Sequence, residues 1–185
     1  TAARDLTESA LMHFADPQGG FFDTSDDHEA LVMRPKSLQD NAVPSGNALA
    51  ATVLLKLGAL TGEGRYTDVA EAMLRTLQPV LGKHPTAFGQ WLVALTFALG
   101  EPKEVAIAGD PAASDTQAML AVVRRAYRPF QVLAVGHAGS AVPLLAQREQ
   151  RDGKATAYVC FHFACRRPIT DAGELGGALS FRFAR

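Results

Sequence analysis

Three consecutive stretches in the first hundred residues carry helical patterns of two alternating kinds. Residues 44–60 and 86–99 are apolar almost all round the helix axis, which is typical of a helix covered on several sides. Residues 66–81 instead carry their apolar side chains at steps of three and four, on one stripe. The connectors are short and contain glycine or proline, as between antiparallel neighbours. This order predicts stacked helical hairpins with covered inner helices and an outer helix facing water.

The pattern changes after Gly100. Residues 104–108 and 131–135 indicate strands, and the segment between them, 114–128, is an amphipathic helix. Strand, helix and strand at this spacing favour a right-handed parallel βαβ unit. A third strand is expected at 155–163 and a short helix at 171–179. The predicted class is therefore α+β, with helical hairpins in residues 1–100 and a small α/β appendage in 101–185.

Two further features are expected at the start of the chain. Residues 1–15 indicate the end of a helix, and Pro17 with the Gly19–Gly20 pair ends it. Residues 21–22 and 31–33 are short apolar pieces on either side of a polar turn, which suggests a hairpin between helices.

Composition excludes several classes of function. The 185 residues are 48% hydrophobic and 20% charged, which supports a folded core. A net charge of −1 argues against a nucleic-acid or polybasic membrane surface, and no apolar run is long enough to span a bilayer. Two cysteines are too few for a secreted disulfide framework, which favours a cytoplasmic location. Because residue 1 is threonine, we expect the chain to be part of a longer protein.

A polar segment, residues 34–47, leads directly into the first apolar helix. Free N–H groups at a helix start attract oxygen ligands, so this segment is built like the rim of a binding site. The residues expected to bind a ligand are Arg34, Lys36, Asp40, Asn41, Ser45 and Asn47, with Asp23 from the preceding turn. Aromatic platforms for a sugar would be Phe21, Phe22 and Trp91. The alternative is a capped loop, in which the same polar groups satisfy backbone N–H groups.

Two residues are candidates for acid–base catalysis. Asp40 could form a carboxylate pair with Asp23, as in glycoside hydrolysis. His84 stands in a loop before an inner helix, a suitable position for an acid or base. The alternatives are a capping role for the carboxylates and an ordinary solvated loop for the histidine.

Cys160 and Cys165 are five residues apart, on or beside the third strand. In a continuous strand an odd offset places two side chains on opposite faces, so a direct disulfide would need a bend after His162. The spacing is not CxxC, and His162 alone is too little to complete a zinc site. We therefore expect structural thiols, with a redox pair as the alternative, and we expect no metal.

Several motifs together resemble the C-terminal region of the DUF255 family, also called the YyaL-like or spermatogenesis-associated-protein-20-like thioredoxin-domain proteins. The motifs, which occur in the family's order and cover nearly the whole chain, are GGFFDT (19–24), RPK (34–36), DNAVPSGNALAA (40–51), HPTAF (84–88), ALGEPKEVAIAGD (98–110) and YVCFHFACRRPITDAGEL (158–175).

The resemblance implies a larger parent with an N-terminal thioredoxin-like domain and an (α/α)6 toroid similar to sugar 2-epimerases and six-hairpin glycosidases. This chain would supply the last hairpins of the toroid and its α/β extension. The expected function is binding of a carbohydrate-like ligand, with no cofactor, and whether the parent is an enzyme is left open. The alternative is a scaffold or partner-binding module that supports the thioredoxin-like domain. At most two of six hairpins are present, so we also expect the chain to self-associate.

Overall fold

The computed structural model describes residues 2–29, 32–100 and 102–180. These residues form two compact units, one of residues 1–58 and 63–100 and the other of residues 59–62 and 101–185. Helices and a mixed sheet occur together, which confirms the α+β class. Among the described residues no helix is long and apolar enough to cross a membrane.

The helical part follows the apolar pattern of the sequence. Its helices are α1 (Ala2–His13), α2 (Gly46–Thr61), α3 (Gly64–Leu81) and α4 (Gly89–Leu99). A 3-10 turn, Pro85–Ala87, comes before α4, so the helix expected from residue 86 begins three residues late. The apolar stripe of α3 is buried, and α2 buries residues on several sides, as predicted. The expectation for α4 is wrong, because its buried residues Trp91, Ala94 and Phe97 form a single stripe, while Val93 and Leu99 are exposed. A six-hairpin toroid remains a prediction.

The expected hairpin at residues 21–33 is not formed by the residues that the structure describes. Phe21 makes one isolated antiparallel bridge to Ala15. Val32 and Met33 are exposed and not in a strand, while Leu31 lies outside the described residues. The two short apolar pieces, 21–22 and 31–33, do not form paired strands because, among their described residues, only Phe21 is buried, at 7% exposure.

The α/β part contains β1 (Lys103–Ala108), α5 (Ser114–Arg124), β2 (Gln131–Gly136), β3 (Thr156–Phe161), β4 (Ala164–Cys165) and α6 (Ala172–Ala178). The sheet order is β2-β1-β3-β4. Strands β1 and β2 are parallel, as the strand–helix–strand pattern predicted, whereas β3 runs antiparallel to both β1 and β4. Helix α5 ends at Arg124, four residues before the expected end.

One apolar cluster holds this sheet and its helices together. Val105 and Ile107 of β1 pack with Met119 and Leu120 of α5 and Val159 of β3. Helix α6 begins as expected, because the Asp171 side chain accepts a hydrogen bond from the Glu174 N–H and so caps the first turn. This core fixes the positions of β1 and β3, the strands that carry Glu104 and Cys160.

Candidate functional site

The carboxylate of Asp40 joins the starts of two helices. Its Oδ1 accepts a hydrogen bond from the Ser45 N–H at 2.8 Å, just before α2. Its Oδ2 accepts one from the Gln90 N–H at 2.8 Å, in the first turn of α4. Both oxygens are thus occupied by free N–H groups of the kind that helix starts leave unpaired. The arrangement fits the capped-loop alternative better than a carboxylate available for catalysis.

Asn47 is the most buried polar residue of the rim, at 1% exposure. Its Oδ1 accepts from the Phe21 N–H at 2.7 Å, and its Nδ2 donates to the Phe21 carbonyl at 2.8 Å. The same Nδ2 donates to the Ser37 carbonyl at 3.0 Å. One side chain on α2 therefore binds the backbone of two segments that precede it, and it replaces the backbone partners that a sheet would provide.

Ser45 and Trp91 both bind the carbonyl of Leu38. The Ser45 hydroxyl donates to it at 3.2 Å and also accepts from the Ala48 N–H at 3.2 Å, as an N-cap. The Trp91 indole N–H donates to it at 2.7 Å, and the ring is 1% exposed. Trp91 is therefore a core residue with its polar atom satisfied, and not an open platform for a sugar ring.

The charged rim residues are also bound within the chain. Arg34 donates to the carbonyls of His13 and Thr24, and its guanidinium lies 4.2 Å from the centre of the Phe22 ring. Burial leaves the Arg34 Nε without a hydrogen-bond partner.

Lys36 and Asp23 make the same kind of internal contact. The Lys36 ammonium binds the Asp16 carboxylate and donates to the Gly19 carbonyl at 2.9 Å. The hydrogen bond from Lys36 to the Asp16 carboxylate is the main cause that lowers the pKa of Asp16, and the hydrogen bond from the Gln18 N–H is the second. Asp23 accepts from the N–H and hydroxyl of Ser37. These contacts tie residues 16–23 to residues 34–37.

Two candidate residues are open to solvent, Asn41 of the rim and His84, which lies outside it. Asn41 is exposed, and its Oδ1 accepts only from the adjacent Ala42 N–H at 2.9 Å. His84 is exposed at the start of the 3-10 turn, where its side chain makes no capping hydrogen bond. Among the residues that the structure describes, His84 therefore has no contact that would activate it as an acid or base.

A small cavity of about 40 Å³ lies beside the rim and is lined by Lys36, Asn47 and Trp91, among others. Ligand pockets for small molecules usually enclose about 300–1,000 Å³. The cavity therefore has room for a hydroxyl group or a water molecule but not for a whole sugar ring.

The expectation of structural thiols at Cys160 and Cys165 is wrong: the two residues form a disulfide. The strand expected to run through residue 163 ends at Phe161, and His162 and Phe163 form a turn in which φ is 48° and 63°. Chain reversal places Cys160 opposite Cys165 across β3 and β4. The next pair along the ladder, Val159 and Arg166, is hydrogen-bonded, with the Arg166 N–H donating to the Val159 carbonyl at 3.1 Å. Hydrogen-bonded and non-hydrogen-bonded pairs alternate between antiparallel strands, so the cysteines form a non-hydrogen-bonded pair, in which the side chains lie closest.

The guanidinium of Arg148 lies against both sulfurs. Its Nη2 is 3.0 Å from Cys165 Sγ and 3.6 Å from Cys160 Sγ, and its Nε is 3.3 Å from Cys165 Sγ. The residue is only 9% exposed, and it also donates to the Phe163 carbonyl at 3.5 Å. Burial lowers the pKa of Arg148, but a guanidinium keeps its proton in proteins. A fixed positive charge thus faces the disulfide.

A buried carboxyl group lies on β1, the strand that pairs with β3 on the side away from β4. Glu104 of β1 is 4% exposed and is the cross-strand partner of Cys160. Its Oε2 accepts from the Phe163 N–H at 2.7 Å, which holds the turn in its left-handed conformation. Burial raises the pKa of Glu104 above that of an ordinary glutamate.

Sequence reasoning missed both of these charged residues. Glu104 could have been found, because it is one acid in the otherwise apolar strand pattern EVAIA. Arg148 lies in a loop with several charges and carries no such signal. Among residues 2–29, 32–100 and 102–180, no group of three or more His, Cys, Asp or Glu side chains could hold a metal ion.

Comparison with known proteins relates this chain to spermatogenesis-associated protein 20. It is 33% identical over 170 residues to the human protein and 32% identical over 170 residues to the mouse protein. Each match covers 88% of this chain, and the chain spans 22% of the length of either relative. The rat protein is 33% identical over 151 residues, 78% of this chain and 19% of that relative. No family model matches the sequence.

Proposed function

We propose that this chain is a scaffold and partner-binding module of a longer DUF255-type protein related to spermatogenesis-associated protein 20, in which it supports a thioredoxin-like domain. The observation that carries the proposal is the internal bonding of the rim. Both oxygens of Asp40 and all three polar contacts of Asn47 go to backbone groups. A segment built this way holds helix starts in place and leaves no carboxylate free for acid–base chemistry.

The test uses the thioredoxin-like domain that the proposal places upstream, produced as a separate polypeptide from the same gene. Titration calorimetry with this chain should show binding. Asp40→Asn should leave that affinity unchanged, because the side chain faces the interior of its own unit. No binding by the wild-type chain, or an upstream sequence without such a domain, would overturn the proposal.

Binding of a carbohydrate-like ligand is a second candidate. It is favoured by the cavity beside Lys36, Asn47 and Trp91, three residues that the sequence singled out. Given its volume of about 40 Å³, the cavity would take one hydroxyl or hydroxymethyl group, and the rest of the ligand would lie at the mouth.

Calorimetric titration with a panel of monosaccharides and polyols tests this candidate. Binding that Lys36→Met weakens would support it, with Lys83→Met, an exposed lysine of the same unit, as the matched control. Absence of binding at millimolar concentrations of every compound would eliminate it.

Self-association of the isolated chain also remains a prediction. Leu49 and Val53 lie one turn apart on α2 and are 45% and 48% exposed. Adjacent apolar groups of this kind favour contact between copies. Light scattering at tens of micromolar should show a dimer or larger species, and the double change Leu49→Ser and Val53→Ser should reduce it. A wild-type monomer would contradict the prediction.

A further inference from the structure

The β3–β4 hairpin combines three features that a purely structural disulfide does not require. The two cysteines differ in exposure, since Cys165 is an exposed residue, whereas Cys160 is 2% exposed. A buried guanidinium touches both sulfurs. A buried carboxyl group holds the turn between the two cysteines. All three belong to the α/β unit, so a role of this disulfide in chemistry does not depend on the proposed scaffold function.

Each feature has a chemical consequence. Thiol–disulfide exchange needs an in-line approach to one sulfur, and exposure makes Cys165 the one that an incoming thiolate can reach. The other sulfur must leave as a thiolate. The Arg148 Nη2 lies 3.6 Å from Cys160 Sγ and 3.0 Å from Cys165 Sγ, close enough to stabilise an anion on either sulfur. Removing charge from water is costly, so this guanidinium, which is nine-tenths buried and interacts electrostatically with Glu104, gains a further counter-charge when one of the sulfurs becomes negative.

We propose that the Cys160–Cys165 disulfide is a thiol–disulfide exchange site that accepts two electrons from a dithiol, with Arg148 as the residue that stabilises the Cys160 thiolate. A thiolate of the dithiol attacks Cys165 Sγ, the Cys160–Cys165 bond breaks, and Cys160 leaves as a thiolate beside Arg148. The second thiolate of the dithiol then attacks the dithiol sulfur that is bound to Cys165, and Cys165 leaves as a thiolate. The dithiol becomes a disulfide, and Cys160 and Cys165 are both reduced.

Glu104 has a supporting role in this site. It lies opposite Cys160 on the neighbouring strand, and cross-strand partners project from the same face of a sheet. By holding the Phe163 N–H it keeps the turn closed when the disulfide is open. The two cysteines therefore stay close enough for the bond to form again, as a reversible site requires.

The first test asks whether the bond exchanges reversibly in the folded chain. The 185-residue chain is equilibrated with mixtures of reduced and oxidised dithiothreitol, and free thiols are then blocked and counted by mass spectrometry. We expect a two-thiol transition in both directions with an unchanged far-UV circular dichroism spectrum. Reduction that occurs only together with unfolding would overturn the proposal, since the bond would then be structural.

The second test identifies the attacked sulfur. The oxidised chain is mixed with a thioredoxin variant that keeps only its nucleophilic cysteine, and the trapped mixed disulfide is mapped by peptide mass spectrometry. The adduct should form on Cys165. An adduct mainly on Cys160, or no adduct, would contradict the proposed direction of attack.

The third test concerns Arg148. In the reduced chain, the pH profile of iodoacetamide alkylation, followed at Cys160 by peptide mass spectrometry, should show a thiol pKa below the usual value of about 8.5. Arg148→Met should slow alkylation at pH 7 by about tenfold, the change that one pKa unit produces. Arg166→Met removes an equal charge next to Cys165 in sequence and serves as the matched control. Equal profiles for both variants and the wild type would exclude the role of Arg148.

If Arg148→Met does not fold, Arg148→Lys tests the same point. The lysine keeps a positive charge but cannot contact both sulfurs with a planar fork. We expect an alkylation rate between those of the wild-type chain and an unassisted thiol. If the wild-type chain itself shows the alkylation profile of an unassisted thiol, the proposal is overturned without any variant.

Discussion

The rim segment at residues 34–47 and the disulfide of the β3–β4 hairpin both have polar side chains against them, but these side chains have different partners. In the rim, Asp40 and Asn47 face backbone N–H and carbonyl groups and satisfy them. At the hairpin, Arg148 from the preceding loop faces a disulfide, a bond that thiolates can break. The comparison teaches that a high density of polar residues does not by itself identify a functional site. The partner of each polar atom decides between a structural brace and a reactive centre.

The largest expected effect is that of Asn47→Ala on stability. The change removes three hydrogen bonds and leaves the buried Phe21 N–H and carbonyl without partners. Because an unsatisfied buried polar group costs about 1–3 kcal/mol, we expect the free energy of unfolding to fall by about 3 kcal/mol or more. Urea denaturation at pH 7 measures it.

The exposed Asn41 provides the matched control for this change. Asn41→Ala should alter the free energy of unfolding by less than about 0.5 kcal/mol, as surface substitutions usually do. If the two variants were equally stable, the description of the rim as a brace would be wrong.

Asp40→Ala should have the next largest effect. It removes the acceptor of the Ser45 N–H just before α2 and of the Gln90 N–H in the first turn of α4, and the loss of a single cap costs about 0.5–2 kcal/mol. We expect a decrease of about 2 kcal/mol in the free energy of unfolding, with Asp40→Asn intermediate because one amide oxygen can still accept. Unchanged stability together with lost sugar binding would reverse the comparison and make the rim a binding site.

How far the sequence predicts these two regions depends on how local their contacts are. The stripe of α3 was predicted almost to the residue, since burial at steps of three and four is a local property. A bend after His162 was named only as what a direct disulfide would require, because Phe163 rarely adopts a left-handed conformation and its N–H is held by Glu104 from another strand.

The candidate site shows the same division. The sequence identified the polar residues of the rim and both cysteines. It could not show that Asn47 binds Phe21 and Ser37, because such partners are set by the tertiary fold. Arg148 was missed for the same reason: its guanidinium reaches the sulfurs only once the hairpin has formed.

Cys160→Ser combined with Cys165→Ser should have a smaller effect than Asn47→Ala. A disulfide that closes so short a loop restricts the unfolded chain only slightly, and the loop-entropy relation gives about 2 kcal/mol. Thermal and urea denaturation of the double variant and of the reduced wild-type chain should agree with each other. A double variant that does not fold would mean that the hairpin, like the rim, is chiefly a brace.

The smallest expected effect is a dependence of stability on pH that comes from Glu104. Burial raises the pKa of this carboxyl group in the folded chain, so the folded chain holds its proton at pH values where the unfolded chain has lost it. Stability should therefore fall as pH rises from about 4.3, the usual pKa of a glutamate, to the higher folded value, and then level off. Glu104→Gln keeps an oxygen for the Phe163 N–H but has no proton to lose, so its stability relative to the wild type should increase over that pH window. Urea denaturation at closely spaced pH values between 4 and 8 measures this difference, with Glu149→Gln correcting for the loss of one negative charge at an exposed position. A difference that stays constant with pH would show that Glu104 ionises as freely in the folded chain as in water, and the contrast with the rim would then depend on Arg148 and the disulfide alone.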